Sequence, residues 1–118
     1  MPTPPQNLRQ LSALVEIVSQ LRGPEGCPWD KKQTHESLTQ YAIEETYEFV
    51  EAVSLNNDQE IKAELGDVLF EVILHAQLAS ERNVFDLDDV IENINKKLIH
   101  RHPHVFEKHG DGDGSTFY

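Results

Sequence analysis

Tyr41-Ala42-Ile43-Glu44-Glu45-Thr46-Tyr47-Glu48, answered after a break at Asn56-Asn57-Asp58 by Glu64-Leu65-Gly66-Asp67-Val68-Leu69-Phe70-Glu71, puts acids where a packed helix should be apolar. With about 100° of turn per residue, Leu38, Tyr41, Glu45, Glu48 and Ala52 fall on one narrow stripe, spaced 3, 4, 3, 4 like a buried helix face. Glu60, Glu64, Asp67 and Glu71 form a second stripe, walled by Ile61, Val68 and Val72 on one side and by Phe70 and Leu74 on the other. Neither stripe has the surroundings of an ordinary solvated face.

The break between the two segments fixes their register. Asn56-Asn57-Asp58 has turn composition. An antiparallel fold about Asn56 sets Glu45 opposite Asp67, eleven residues to either side, and Glu48 opposite Glu64, eight to either side. Acids at i and i+3 on each helix share a face, so all four carboxylates converge. Burying them unpaired costs on the order of several kcal/mol per ion. They must either take up protons or bind a hard divalent cation, and an oxygen-only ligand set selects Mg2+, with Mn2+ as a substitute.

A chain of 118 residues is long enough for one domain with its own core. Its formal charge of −11, spread along the chain, argues against nucleic acid or an anionic membrane as partner. An anionic small molecule would bind through a metal. The single Cys27 cannot form an internal disulfide, no apolar run approaches the roughly 20 residues of a membrane span, and no signal-peptide pattern opens the chain. A reducing cytoplasm is the expected location.

The spacing predicts an all-α fold of four main helices. Residues 1–7 are a proline-rich, flexible lead-in, residues 8–106 the helical domain, and residues 107–118, with alternating Gly and Asp, a flexible tail. Leu8, Leu11, Leu14, Val15, Val18 and Leu21 predict a first helix from Leu8 to Arg22, stopped by Gly23-Pro24. A loop from Gly23 to Thr34 carries the only tryptophan, Trp29, which either covers the edge of the core or offers a base a surface to stack on, with Lys31, Lys32 or Gln33 for polar contacts. The second helix is expected from His35 to Leu55, the third from Asp58, as its N-cap, to Arg82. The fourth runs from Leu87 to Arg101, capped by Asp86, with Val90, Ile91, Ile94 and Leu98 as its buried side. Lys97 and Arg101 share a face of that helix, either as favourable cations at its C-terminus or as a phosphate clamp. The histidines of His100-Arg101-His102-Pro103-His104 are read as packing and capping groups, because Pro103 turns His102 away from helical geometry. Ile43, Tyr47 and Val50 on the second helix, and Leu69 and Ile73 on the third, lie away from the acids and predict an apolar face that a second protomer covers.

Glu44-Glu45-x-x-Glu48, fifteen intervening residues, then Glu64-x-x-Asp67 resembles the EExxE…ExxD signature of the all-α nucleoside triphosphate pyrophosphohydrolases. Gly26-Cys27-Pro28-Trp29-Asp30, Gln33-Thr34, Glu64 to Phe70 and Arg101-His102-Pro103-His104-Val105-Phe106 extend the resemblance to the MazG branch, in particular to the amino-terminal one of its two related domains. The resemblance implies a homodimer or higher oligomer that hydrolyses a nucleoside triphosphate to the monophosphate and pyrophosphate. It implies Glu45, Glu48, Glu64 and Asp67 as metal ligands; Glu44 matches the motif but lies about 100° off the metal stripe, which leaves it a secondary role. It also implies phosphate contacts from Lys97 and Arg101, with His100 standing where an arginine can occur. Glu44, Glu48 and Glu71 are the candidates for the general base.

Two other readings compete. Di-iron carboxylate oxidases bury acids in helical bundles but need Glu-x-x-His on facing helices; here only Glu71-x-x-x-His75 comes near, with the wrong spacing and no counterpart. A catalytically weak nucleotide-binding or dimerisation module of a larger MazG protein would have the same site chemistry, and only an assay separates it from the enzyme.

Overall fold

The computed structural model describes residues 1–106. The expected glycine-rich tail from 107 to 118 lies outside the described residues. Among the described residues five helices follow one another: α1 (Leu11–Leu21), the short α2 (Pro28–Lys31), α3 (Thr39–Ser54), α4 (Asp58–Glu81) and α5 (Leu87–Arg101). Among the described residues there is no strand.

Local chemistry sets the ends of these helices. α1 begins three residues later than its leucine period predicts, because the Asn7 side chain accepts the Arg9 N–H and the Gln10 N–H turns back to the Asn7 carbonyl. Leu8 is left 71% exposed. α3 begins at Thr39 rather than His35 for a similar reason: the Thr34 and Ser37 hydroxyls each accept the other residue's backbone N–H. Such side-chain bonds offer the backbone an alternative to helix. α4 is capped by Asn57, whose side chain accepts the Glu60 N–H at 3.1 Å, so the expected Asp58 cap is displaced by one residue. The cap of α5 is Asp86 as expected, in a reciprocal capping box with Asp89.

Val18 from α1, Leu38 before α3, and Ile73, Leu74 and Leu78 from α4 form the core, with Leu14, Val15, Phe70 and Leu87 packed against it. Ile73 is therefore a core residue, 3% exposed, and not part of the outer apolar face expected for it. The difference follows from α1, which packs on this half of α4 and covers it. α5 is less buried than its period predicts. Val90, Ile91 and Leu98 are half-buried and Ile94 is exposed, because within the protomer α4 is the main neighbour of α5.

α3 and α4 form the main hairpin. Leu55, Asn56 and Asn57 make its turn, and Asn56 takes the left-handed conformation at φ 53°, which asparagine tolerates better than most residues. Among the described residues no helix is long and apolar enough to cross a membrane.

Candidate functional site

The hairpin register brings the acids together in the pairs that the pivot at Asn56 predicts. One carboxylate oxygen from each of Glu45, Glu48 and Glu64 lies within 4.8 Å of the others. Among the described residues this is the one grouping of three or more ligand-type side chains so close. Asp67 falls outside that tight group but lies against Glu45, close enough for the two carboxyls to share a proton, and Glu48 stands in the same relation to Glu64.

Burial gives the cluster its unusual electrostatics. Glu45 is 8% exposed, and burial, then the charges of Asp67 and Glu48, raise its pKa, while the Tyr41 hydroxyl one helical turn earlier pulls the other way. Desolvation and the neighbouring Glu48 push Glu64 up to about 7. Tyr41 itself is pushed up to about 12, by burial first and by Glu45 second. The Oε2 atoms of Glu45, Glu64 and Glu71 are buried and have no hydrogen-bond partner among the described residues. Buried polar atoms are normally paired, so the orphaned oxygens of Glu45 and Glu64, both hard donors in the close group, fit a divalent cation as the missing partner. Among the described residues no lysine or arginine is among the charges that shift Glu45 or Glu64.

The other predicted site residues fall in different places. Glu44 is exposed and accepts a hydrogen bond from Gln40 at 3.2 Å, one turn back on α3 and off the cluster. Glu71 lies one turn beyond Asp67, 6% exposed, and shares an apolar cavity of about 410 Å³ between α3, α4 and α5 with Glu45 and His75. Its Oε1 lies 3.2 Å from His75 Nε2. Burial raises the Glu71 pKa and His75 opposes the rise. Trp29 sits on α2, 56% exposed. Beside it, Lys31 Nζ donates to the Pro24 carbonyl at 3.3 Å, and Gln33 donates to the Trp29 carbonyl while its Oε1 accepts from Ser37. Lys97 is exposed and Arg101 half-buried on the last turns of α5, and no contact ties either to the acid cluster among the described residues. His102 Nδ1 meets the Leu98 carbonyl at 2.6 Å, a capping role for that histidine.

The sequence places Tyr41 on the stripe of Glu45 and His75 four residues after Glu71, both at i, i+4 on one helix face, but their action on those acids was not read from it. A third contact carried no local signal. His35 Nδ1 and His75 Nδ1 lie 2.8 Å apart with stacked rings, forty residues apart in the chain.

The family model described as MazG nucleotide pyrophosphohydrolase domain matches residues 33–106, which include all the acids of the cluster. The chain is 57% identical over 104 residues to the nucleoside triphosphate pyrophosphohydrolase/pyrophosphatase MazG of Thermotoga maritima, across 88% of this chain and 40% of that protein. It is 45% identical over 100 residues to the nucleoside triphosphate pyrophosphohydrolase of Escherichia coli K12, across 84% of this chain and 38% of that protein. It is also 52% identical over 98 residues to the uncharacterized protein YabN of Bacillus subtilis, of which it spans 20%. The chain thus covers two fifths or less of the length of these curated relatives. The acid pairs across α3 and α4, the orphaned carboxylate oxygens and these matches agree, and the chain belongs to the MazG nucleotide pyrophosphohydrolase domain family.

Proposed function

We propose that this chain hydrolyses nucleoside triphosphates, ribo- or deoxyribo-, to the monophosphate and pyrophosphate, a reaction suited to clearing unwanted nucleotides from the pool. The observation that carries the reading is the convergence of Glu45, Glu48 and Glu64 with orphaned oxygens, in a chain whose relatives bear that name. Glu45, Glu48, Glu64 and Asp67 would hold Mg2+, or Mn2+ in its place. When bound, the cation supplies positive charge and Lewis acidity at the triphosphate. Glu48, on the open side of the cluster, faces arriving substrate. Glu71 is the acid left over to take a proton, because its Oε2 has no partner and its Oε1 rests on His75. Glu44, turned toward Gln40, serves at most indirectly. Trp29 offers a flat surface to the base, with Lys31 and Gln33 beside it, and Lys97 and Arg101 neutralise phosphate charge.

Incubation of the purified chain and Mg2+ with a panel of NTPs and dNTPs should release pyrophosphate and nucleoside monophosphate. Orthophosphate as first product would mean attack at the γ-phosphorus and a different reaction. No turnover of any nucleotide would favour the binding or dimerisation module, a reading that has its own support in the small share of each relative that the chain spans.

The same reading includes a homodimer. Ile43, Tyr47 and Val50 are 52%, 72% and 56% exposed and line one shallow depression on the outer side of α3. Leu65 and Leu69 add 51% and 44% exposed leucines on α4. Soluble monomers rarely leave contiguous apolar faces of this kind bare, and one self-complementary patch serves both partners of a two-fold dimer. Tyr47→Glu with Val50→Glu should yield monomers or aggregates and reduced turnover, although neither side chain belongs to the acid cluster. A monodisperse wild-type monomer in light scattering at micromolar concentration would refute the dimer.

A further inference from the structure

The segment bearing Trp29 is fastened by one guanidinium. Arg22 closes α1 as its C-cap, and its side chain is 10% exposed. Nε and Nη2 donate to Glu81 Oε2 and Oε1, both at 2.7 Å, a two-pronged pairing that fixes the plane of the guanidinium. Nη1 donates to the carbonyls of Asp30 at 2.6 Å and Gln33 at 3.2 Å. One side chain thus joins the end of α1, the last turn of α4 and both flanks of residues 31 and 32. The pairing with Glu81 raises the Arg22 pKa and lowers that of Glu81, so both stay charged across the ordinary range of pH.

Trp29 does not hold this segment itself. A tryptophan that anchored its loop would be buried, and this one is 56% exposed. The remaining ties lie at its two ends. Upstream, Cys27 N–H meets the Leu21 carbonyl at 2.8 Å, and Gly26 packs so close that a Cβ there would stand 2.0 Å from the same oxygen. Downstream, His35 stacks on His75 of α4. Between these points only Arg22 bonds the segment to another helix among the described residues.

We propose that Arg22, oriented by Glu81, is a positioning residue that holds the segment from Asp30 to Gln33, and with it the outward-facing Trp29, fixed on α4, so that it sets affinity for the nucleoside end of the substrate rather than the rate of phosphoanhydride cleavage. The part about affinity rests on the function proposed above. The alternative is an ion pair that stabilises the fold and nothing more.

Three variants of the full chain separate the two. Arg22→Lys keeps the charge but loses the fork and the second carbonyl bond. Glu81→Gln keeps the shape but releases the fork. Arg22→Glu with Glu81→Arg restores an ion pair but turns a carboxylate toward the two carbonyls. Arg22→Lys and Glu81→Gln should each raise KM for nucleoside triphosphate about tenfold, with kcat within about twofold. Time-resolved fluorescence anisotropy of Trp29, the chain's only tryptophan, should show faster local motion in both. The charge-swapped pair should recover thermal stability without recovering KM or the anisotropy, since nothing then donates to Asp30 and Gln33. If the swap does not fold, the two single variants decide. Unchanged KM and unchanged anisotropy in a folded Arg22→Lys protein would overturn the proposal, as would a fall in kcat at constant KM. If the wild type turns over no nucleotide, the proposed function fails by itself, and the anisotropy still decides whether Arg22 holds the segment.

Discussion

Glu48→Ala and Glu64→Ala are each expected to lower nucleoside triphosphate turnover by about 100-fold or more while the chain keeps its helicity. Loss of a residue that merely supports a metal ligand already costs roughly 10–100-fold, and removal of a side chain proposed as a ligand should cost at least as much. Stability should not suffer in parallel. Glu48 is exposed and Glu64 half-buried, so truncation opens no cavity in the core formed by Val18, Leu38, Ile73, Leu74 and Leu78. It also removes one charge from a group of mutually repelling acids. Glu51→Ala makes the same change of charge on the same helix outside the cluster, and supplies the comparison. If Glu48→Ala retained the turnover of Glu51→Ala, the acid cluster would not be the catalytic site.

The acid site was legible because it depends on two regular quantities, the helical period and the length of a turn. Once Asn56 is taken as the pivot, the pairs Glu45 with Asp67 and Glu48 with Glu64 follow without further information, and these are the contacts found. The apolar character of Ile43, Tyr47 and Val50 on the outer side of α3 was legible for the same reason. What escaped depends on tertiary context. Four residues of α2 give no periodicity, and only Pro28 at its first position hints at a helix start. Ile73 was misplaced because a helix apolar on several sides does not say which side a neighbour covers, and α1 covers this one. Ile94 erred in the opposite direction, since α5 meets fewer neighbours than its apolar stripe could serve. Arg22 reads in the sequence as an unremarkable cation at a helix end. Its partner Glu81 is 59 residues away, and nothing local announces the pair.

Cation binding should stabilise the protein, and more so as pH rises. Burial and the neighbouring acids push Glu64 up to about 7 from the ordinary carboxylate value of 4.5, and burial also raises Glu45 and Glu71. Between the unfolded and folded values the native state holds more protons than the unfolded one, so these acids make stability fall as pH rises. For Glu64 the window runs from about 4.5 to about 7. His35 acts in the other direction: desolvation first, then His75, lowers its pKa below 6.5, so its contribution is present above that value and lost as pH falls through the folded one. The acid effect is therefore isolated by subtracting the melting curve of Glu64→Gln from that of the wild type. The wild type should lose stability relative to this variant as pH climbs from 5 to 8. Added Mg2+ or Mn2+ should reverse the trend, because the deprotonated carboxylates that repel one another are the ones proposed to bind the cation. At about a hundredfold excess over Kd the gain is about 2.7 kcal/mol, or roughly 10 °C in Tm for a domain of this size. The shift should be largest near pH 8, much smaller near pH 5, and nearly absent in Glu45→Gln with Glu64→Gln. An equal metal-induced shift at both pH values, or one that survives in the double variant, would place the cation elsewhere.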